Sequence, residues 1–280
     1  MKIPEGLQPL IDDGVIDEVI RPLKSGKEAT VYLVRSGAET RCAKVYRNMA
    51  HRGFQRRAHY QEGRKVRASR QARAMSKGTR FGRKEQESAW KNAEVTALYQ
   101  LVAAGVRVPR PYGYFNDVLI MELVTDAAGD PAPRLGELSL SPETAREYHR
   151  FLMQQIVRML SIGLIHGDLS EFNVLVGPDG PVIIDLPQAV SAAGNNSALA
   201  MLERDVNNIR STLGQFAPEL LVTEFAREMW ALFEQGDLQA DSKLTGIFTR
   251  DESAVDPDGV LLAVDDAREE AVRRQLGQER

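Results

Sequence analysis

Apolar and polar positions along this chain follow two periods, and the places where the period changes divide it. LQPLIDD is loosely amphipathic and ends at Gly14, which predicts a short helix within residues 1–15. VIDEVIRPL, the run Val31 to Val34 in KSGKEATVYLVRSG, and RCAKVYRN are short β-favouring runs separated by Gly-containing turns, so three strands follow. In KEQESAWKNAEVTALYQLVAAG, Ala89, Ala93, Ala97, Leu98 and Leu101 recur at helical spacing and Gly105 supplies a stop. Pro109 and Pro111 end that helix. Tyr112 to Phe115 and Val118 to Leu123 then flank Asn116-Asp117 as a hairpin.

Residues 126–134, DAAGDPAPR, are rich in turn formers and mark a boundary. Beyond it the helical period dominates. Ser141 caps a helix with Pro142 at its first position, and Tyr148, Phe151, Leu152, Ile156, Met159 and Leu160 form its apolar stripe. A helix from about Ala198 to Gly214 carries Asp205 and Asn208, and TEFAREMWALFEQG is a further amphipathic helix. The pattern is α+β: a helix over 1–15, a strand-rich unit with one helix over 16–125, a mainly helical unit over 126–240, and a charged, partly helical tail over 241–280.

Charge changes this picture at one place. The net charge is −3. Between Arg47 and Lys84, however, 13 Lys or Arg stand against the single acid Glu62, a net +12, leaving 23 bases and 38 acids elsewhere. This basic insert over 47–84 has few large apolar residues. It points to a polyanion partner: RNA is the first candidate, because arginines contact phosphates and Phe54, Tyr60 and Phe81 can stack on bases. An intramolecular clamp on the acidic remainder is the competing reading. Cys42, the only cysteine, excludes an internal disulfide and a thiolate zinc site, and reads as a buried inert thiol. No apolar run reaches membrane-spanning length, and acids stand where a signal peptide has its apolar core, so a cytoplasmic protein without membrane contact is expected.

The chemistry concentrates in Leu164 to Leu186, LIHGDLSEFNVLVGPDGPVIIDL. Two apolar runs flank a Gly-Pro turn, so Asn173, before the first, and Asp185, after the second, are brought side by side. A carboxamide and a carboxylate oxygen so placed suit a hard cation such as magnesium near phosphates. Asp168, on the entering loop, is placed to accept a proton or orient a nucleophile. Lys44, between Ala43 and Val45, is costly to bury unless paired. Glu94 is its expected partner, with Glu87, about two turns earlier, as the alternative. The turn Ser25 to Thr30 covers a polyanion if Gly26 lets the backbone approach and Lys27 adds charge; a plain hairpin turn is the simpler reading. The end of the second hairpin strand, Met121 to Val124, is a connector able to offer main-chain groups to an adenine edge. His149, His51 and His59 read as surface residues, and His166 as a brace for the Asp168 loop.

HGDLSEFN matches the catalytic-loop pattern of protein kinases at each fixed position except the arginine, which is Gly167. With Lys44, Glu94 and Asp185 in order, the chain resembles the protein-kinase-like superfamily. More closely, SGKEATVY, CAKVYR, MEL, HGDLSEFNVL, IIDLPQAV and ERDVNNI resemble the RIO-type atypical protein kinases, nearest their first subgroup, over about residues 10 to 235. The resemblance implies a two-lobed fold: a small antiparallel sheet plus one helix in the N-lobe and a mainly helical C-lobe. It implies an ATP- and magnesium-dependent serine/threonine kinase or ATPase, with manganese as an alternative metal. Asp168 would be the base, Asn173 and Asp185 metal ligands, and Lys44 and Glu94 the phosphate-pairing ion pair. Ser25, Gly26, Lys27, Val31, Glu122 and Val124 would contact the nucleotide. In this family the metal-binding aspartate can itself be phosphorylated, and a part in small-subunit ribosome maturation is implied.

Two departures from ordinary protein kinases stand out, and one is Gly167 in place of the arginine that normally meets an activation-segment phosphate. Asp185-Leu186-Pro187 lacks the Phe and Gly of the usual triplet. Ala217-Pro218-Glu219 spells a motif that normally ends an activation segment, but it follows a helix and reads as coincidence. No ordinary activation segment is expected, and so no shelf for a peptide. Two other functions compete: a small-molecule phosphotransferase of the aminoglycoside or choline kinase kind, and a nucleotide-gated module binding RNA or the ribosomal small subunit.

Overall fold

The computed structural model describes residues 3–26, 28–47 and 93–249. The basic insert, Lys27, Glu87 and most of the C-terminal tail, with the expectations attached to them, lie outside the described residues. By its internal contacts the chain divides into two units, Met1–Ile247 and Phe248–Arg280.

Five antiparallel strands make the first sheet: β1 (Glu18–Ser25), β2 (Ala29–Ser36), β3 (Glu39–Tyr46), β4 (Pro111–Phe115) and β5 (Val118–Glu122), in the spatial order β1-β2-β3-β5-β4. The β4–β5 turn is built on Asn116 and Asp117, both at positive φ, 44° and 67°. Asn and Asp tolerate that region better than most side chains, and the sense of such a turn matches strand twist. Successive side chains go to opposite faces. Val34, Ala43, Val118 and Ile120 pack outward under α1 (Gln8–Asp12), which contributes Leu7 and Leu10 to that cluster together with Ile16 from the following loop. Cys42, Lys44, Tyr46, Leu119 and Met121 alternate with them and belong to the inner face. A helix, α2, described over 93–103, covers part of that inner face with Val95, Leu98 and Leu101. Gly105, at φ +72°, stops it.

The second half is mainly helical. In α3 (Pro142–Ser161), Ser141 Oγ accepts the Thr144 N–H at 3.2 Å, and Leu152, Ile156 and Leu160 are buried. α4 (Ala198–Gly214) packs against α3, and α5 (Phe225–Gln235) ends at Gly236 in the left-handed region. Between α3 and α4 lie two small antiparallel pairs. β6 (Leu164–Ile165) pairs β9 (Val190–Ser191), and β7 (Val174–Gly177) pairs β8 (Gly180–Ile183). From Asp185 the chain reaches β9 and then α4 without an extended segment between them. Ala217-Pro218-Glu219 begins a short 3-10 turn after α4, where Glu219 pairs with Arg146 of α3.

His149 corrects one expectation. It is only 2% exposed, packs against Phe225 at 5.3 Å between ring centroids, and its Nε2 has no partner among the described residues. The helical period put it beside the stripe; α5, whose Phe225 lies 76 residues away in the chain, covers it. Burial, helped by Arg210, lowers its pKa to about 4. The unfolded chain therefore takes up a proton near pH 6.5 that the folded chain refuses. Stability is whole above pH 6.5 and falls as pH drops toward 4, by on the order of 3 kcal/mol. Urea midpoints across that window should fall less steeply for His149→Leu than for the wild type; identical slopes would refute the assignment.

Candidate active site

A cleft of about 660 Å3 opens between the inner face of the sheet and the β7–β8 pair. Its apolar walls include Val31, Leu119, Met121 and Leu175, and its polar end carries Lys44, Glu94, Asn173 and Asp185. β2–β3 pairing sets Val31 opposite Lys44, and β3–β5 pairing sets Lys44 opposite Leu119. Lys44 is 13% exposed and Glu94 5%. Nζ donates to Glu94 Oε1 at 2.5 Å and to Asp185 Oδ1 at 3.4 Å. Burial works against the Lys44 ammonium, but Glu94 and Asp185 prevail and its pKa is raised. This is the cation a polyphosphate needs, kept charged inside a low-dielectric wall. Cys42 lines the same cleft, its thiol pushed up to about 12 by burial and by Glu122, and is therefore inert as a nucleophile.

The β7–β8 pair brings Asn173 and Asp185 together. Val174 pairs with Ile183, and the Ile184 N–H donates to Asn173 O at 2.9 Å. Asn173 Nδ2 donates to Asp168 O at 2.8 Å, which leaves Oδ1 as its available acceptor. Asp185 is half exposed, with φ at +68°, a strained setting for an aspartate that turns its carboxylate off the end of β8. Among the described residues no three His, Cys, Asp or Glu cluster as a metal site. An amide oxygen and a carboxylate fit a hard cation that takes its other ligands from phosphate and water, and fit softer metals poorly.

Asp168 stands exposed on a loop held from behind. Gly167 takes φ +80°, which glycine adopts without strain. Asp205 of α4, 1% exposed, accepts the Gly167 N–H at 2.7 Å and the Leu169 N–H at 2.9 Å. Asn208 Nδ2 donates to Leu169 O at 2.8 Å, and the Arg204 guanidinium donates to Gly167 O. Burial pushes the Asp205 carboxyl up, opposed by His166, the two N–H donors and Arg204. His166 Nε2 lies 3.0 Å from Ile184 O, and its Nδ1 accepts the Asp168 N–H at 3.3 Å, so it ties the loop to the β8 exit. Sequence reading noted Asp205 and Asn208 on their helix but not what they hold.

At the opposite lip the Gly26 N–H donates to Ala29 O at 2.9 Å, closing the β1–β2 turn. Gly26 and Val31 line the cleft. Ser25 sits at the root of the turn, where Arg47 Nη2 donates to its Oγ at 2.6 Å and to Thr30 Oγ1 at 3.0 Å. In the connector, the Glu122 carboxylate is turned to Arg107, whose Nη1 and Nη2 donate at 2.8 and 2.6 Å. Burial disfavours that carboxylate, yet Arg107 and the Arg110 N–H hold its pKa below the usual range. The Glu122 N–H donates to Arg110 O at 2.8 Å, so of this residue only the carbonyl oxygen is offered to the cleft. Val124 O accepts the Ala132 N–H at 2.9 Å.

Comparison with known proteins points to one family. The family model described as "RIO domain" matches residues 30–225. A relative from Haloferax volcanii, "RIO-type serine/threonine-protein kinase Rio1", is 37% identical over 202 residues, covering 71% of this chain and 64% of that protein. The Rio1 relative of Methanocaldococcus jannaschii is 32% identical, covering 69% of this chain and 62% of that protein. "Serine/threonine-protein kinase RIO1" of Homo sapiens is 31% identical over 71% of this chain and 34% of its own length. The chain thus spans less than two thirds of the length of these relatives.

Proposed function

The chain belongs to the RIO family, and from that premise we propose that it is an ATP- and magnesium-dependent serine/threonine protein kinase. The observation that carries the reading is the meeting of Lys44, Glu94, Asn173 and Asp185 in one cleft that also has apolar walls at Val31, Leu119, Met121 and Leu175. The adenine lies between Val31 and Leu175, its edge toward Glu122 O and the Val124 N–H. Gly26 lets the turn above the phosphates approach them, and Lys44, oriented by Glu94, clamps them. Asn173 Oδ1 and the Asp185 carboxylate would hold magnesium, which would neutralise charge on the phosphates. Asp168 accepts the proton of the incoming serine or threonine hydroxyl.

The acceptor is a protein side chain, this chain's own residues included, or Asp185 itself, whose carboxylate would take the γ-phosphate as ADP leaves and then lose it to water. The direct path from Asp185 to α4 leaves no activation segment to shelve an extended peptide, which supports a small set of acceptors over a broad one. Incubation with γ-labelled ATP and magnesium tests the reading. Label on protein serine or threonine, or on an acid-stable but hydroxylamine-labile aspartyl phosphate, is the expected result. Rapid phosphorylation of a sugar, an aminoglycoside or choline without protein label would replace it with the small-molecule alternative.

The basic insert gives the proposal a location near ribonucleoprotein, including the ribosomal small subunit. Deleting residues 50–84 should weaken association with RNA. It should also flatten the dependence of log affinity on log salt by several units, since each released counterion contributes roughly 0.7 to 0.9 to that slope. An affinity that stays the same and ignores salt would remove nucleic acid from the proposal.

A further inference from the structure

Tyr46 lies two residues beyond Lys44 on β3 and so on the same inner face of the sheet. It is buried, and its hydroxyl donates to Glu94 Oε2 at 2.7 Å while Lys44 Nζ donates to Glu94 Oε1. The Lys44 ammonium also stands 5.4 Å from the centre of the Tyr46 ring. One aromatic side chain therefore touches both members of the ion pair. The ring is fixed from its far side as well. Tyr114 meets it edge-on, with centroids 6.3 Å and planes 74° apart. The Tyr46 N–H donates to Asp117 O at 3.0 Å, and Tyr114 donates to Asp117 Oδ1 at 3.0 Å. The β4–β5 turn, through Asp117, thus supports Tyr46, and Tyr46 supports Glu94.

We infer that Tyr46 is a positioning residue for phosphoryl transfer, holding the second carboxylate oxygen of Glu94 so that Lys44 is presented to the nucleotide phosphates with one geometry. A buried carboxylate with one cation partner keeps a torsional freedom about its last bond, and its unpaired oxygen carries a desolvation cost. A second, fixed donor removes both. Burial, and then Glu94, push the phenol pKa up, so the hydroxyl stays a donor. The arrangement also accounts for how the Lys44–Glu94 pair stands closed in a chain without an activation segment to set its helix. The inference rests on the kinase reading above.

Steady-state kinetics of Tyr46→Phe test it, because phenylalanine keeps the ring and its packing and removes the donor. Lys44 contacts phosphates in both ground and transition states, so its misplacement shows in KM. The expected change is a KM for ATP raised roughly tenfold, with kcat altered by less than about threefold, from the loss of a hydrogen bond to a charged group. In a Glu94→Ala background the same substitution should change KM by less than about twofold, since its target is gone. An unchanged KM in Tyr46→Phe, or its full effect retained beside Glu94→Ala, overturns the inference. Titration with a fluorescent ATP analogue reads the same two comparisons as affinity. A wild type that transfers no phosphate would defeat the kinase reading while the affinities still decide the role of Tyr46.

Discussion

Asp168→Ala and Asp185→Ala each reduce phosphoryl transfer by about two to four orders of magnitude, the usual scale for a lost acid–base group or charge-stabilising ligand. The two variants should fail differently. Asp168 is exposed and makes no ion pair among the described residues, so removing it leaves ATP affinity near that of the wild type. Asp185 faces Lys44 and shares the polar end of the cleft with Asn173, so its removal also weakens magnesium-dependent ATP binding. Single-turnover transfer, measured beside equilibrium binding at several magnesium concentrations, separates the outcomes. Turnover like that of the wild type in either variant would sink the assignment of the pair.

The second large effect is on stability. Asp205→Ala strips the acceptor from two buried N–H groups, Gly167 and Leu169, and leaves Arg204 at the same loop without its neighbouring acid. Each unsatisfied buried donor costs about 1 to 3 kcal/mol, so a loss of roughly 3 to 5 kcal/mol is expected. Chemical denaturation measures it. Asp205→Asn, which keeps one oxygen, should fall between. A loss under about 1 kcal/mol in Asp205→Ala would mean that the loop carries its own conformation and that α4 merely lies behind it. Where the variant folds, the surviving protein should show lowered kcat, because Asp168 sits between the two clamped residues.

Much of this was legible along the chain because it is local. The hairpin at Asn116-Asp117, the Ser141-Pro142 helix start and the Ala198–Gly214 helix follow from turn chemistry, capping and period, each decided within a few residues. Asn173 and Asp185 could be placed side by side because one short hairpin joins them. Lys44 announced a missing partner through its cost of burial. The resemblance of HGDLSEFN and its companions to a known family then put these pieces in order.

What the sequence by itself determined is therefore the inventory: which elements form, which polar residues stand at their ends, and which of them resemble those of a known family. Only the tertiary structure decided the contacts between elements far apart in the chain. It put Glu94 on Lys44 across 50 residues and Asp205 under the Asp168 loop across 36 to 38. It buried His149 beneath α5 and turned the Glu122 side chain away from the cleft. It also added Tyr46, which no pattern singles out. The reason is physical. Period, capping and turn preference report each residue's own backbone, whereas a hydrogen bond between distant side chains exists only once packing has brought their elements together.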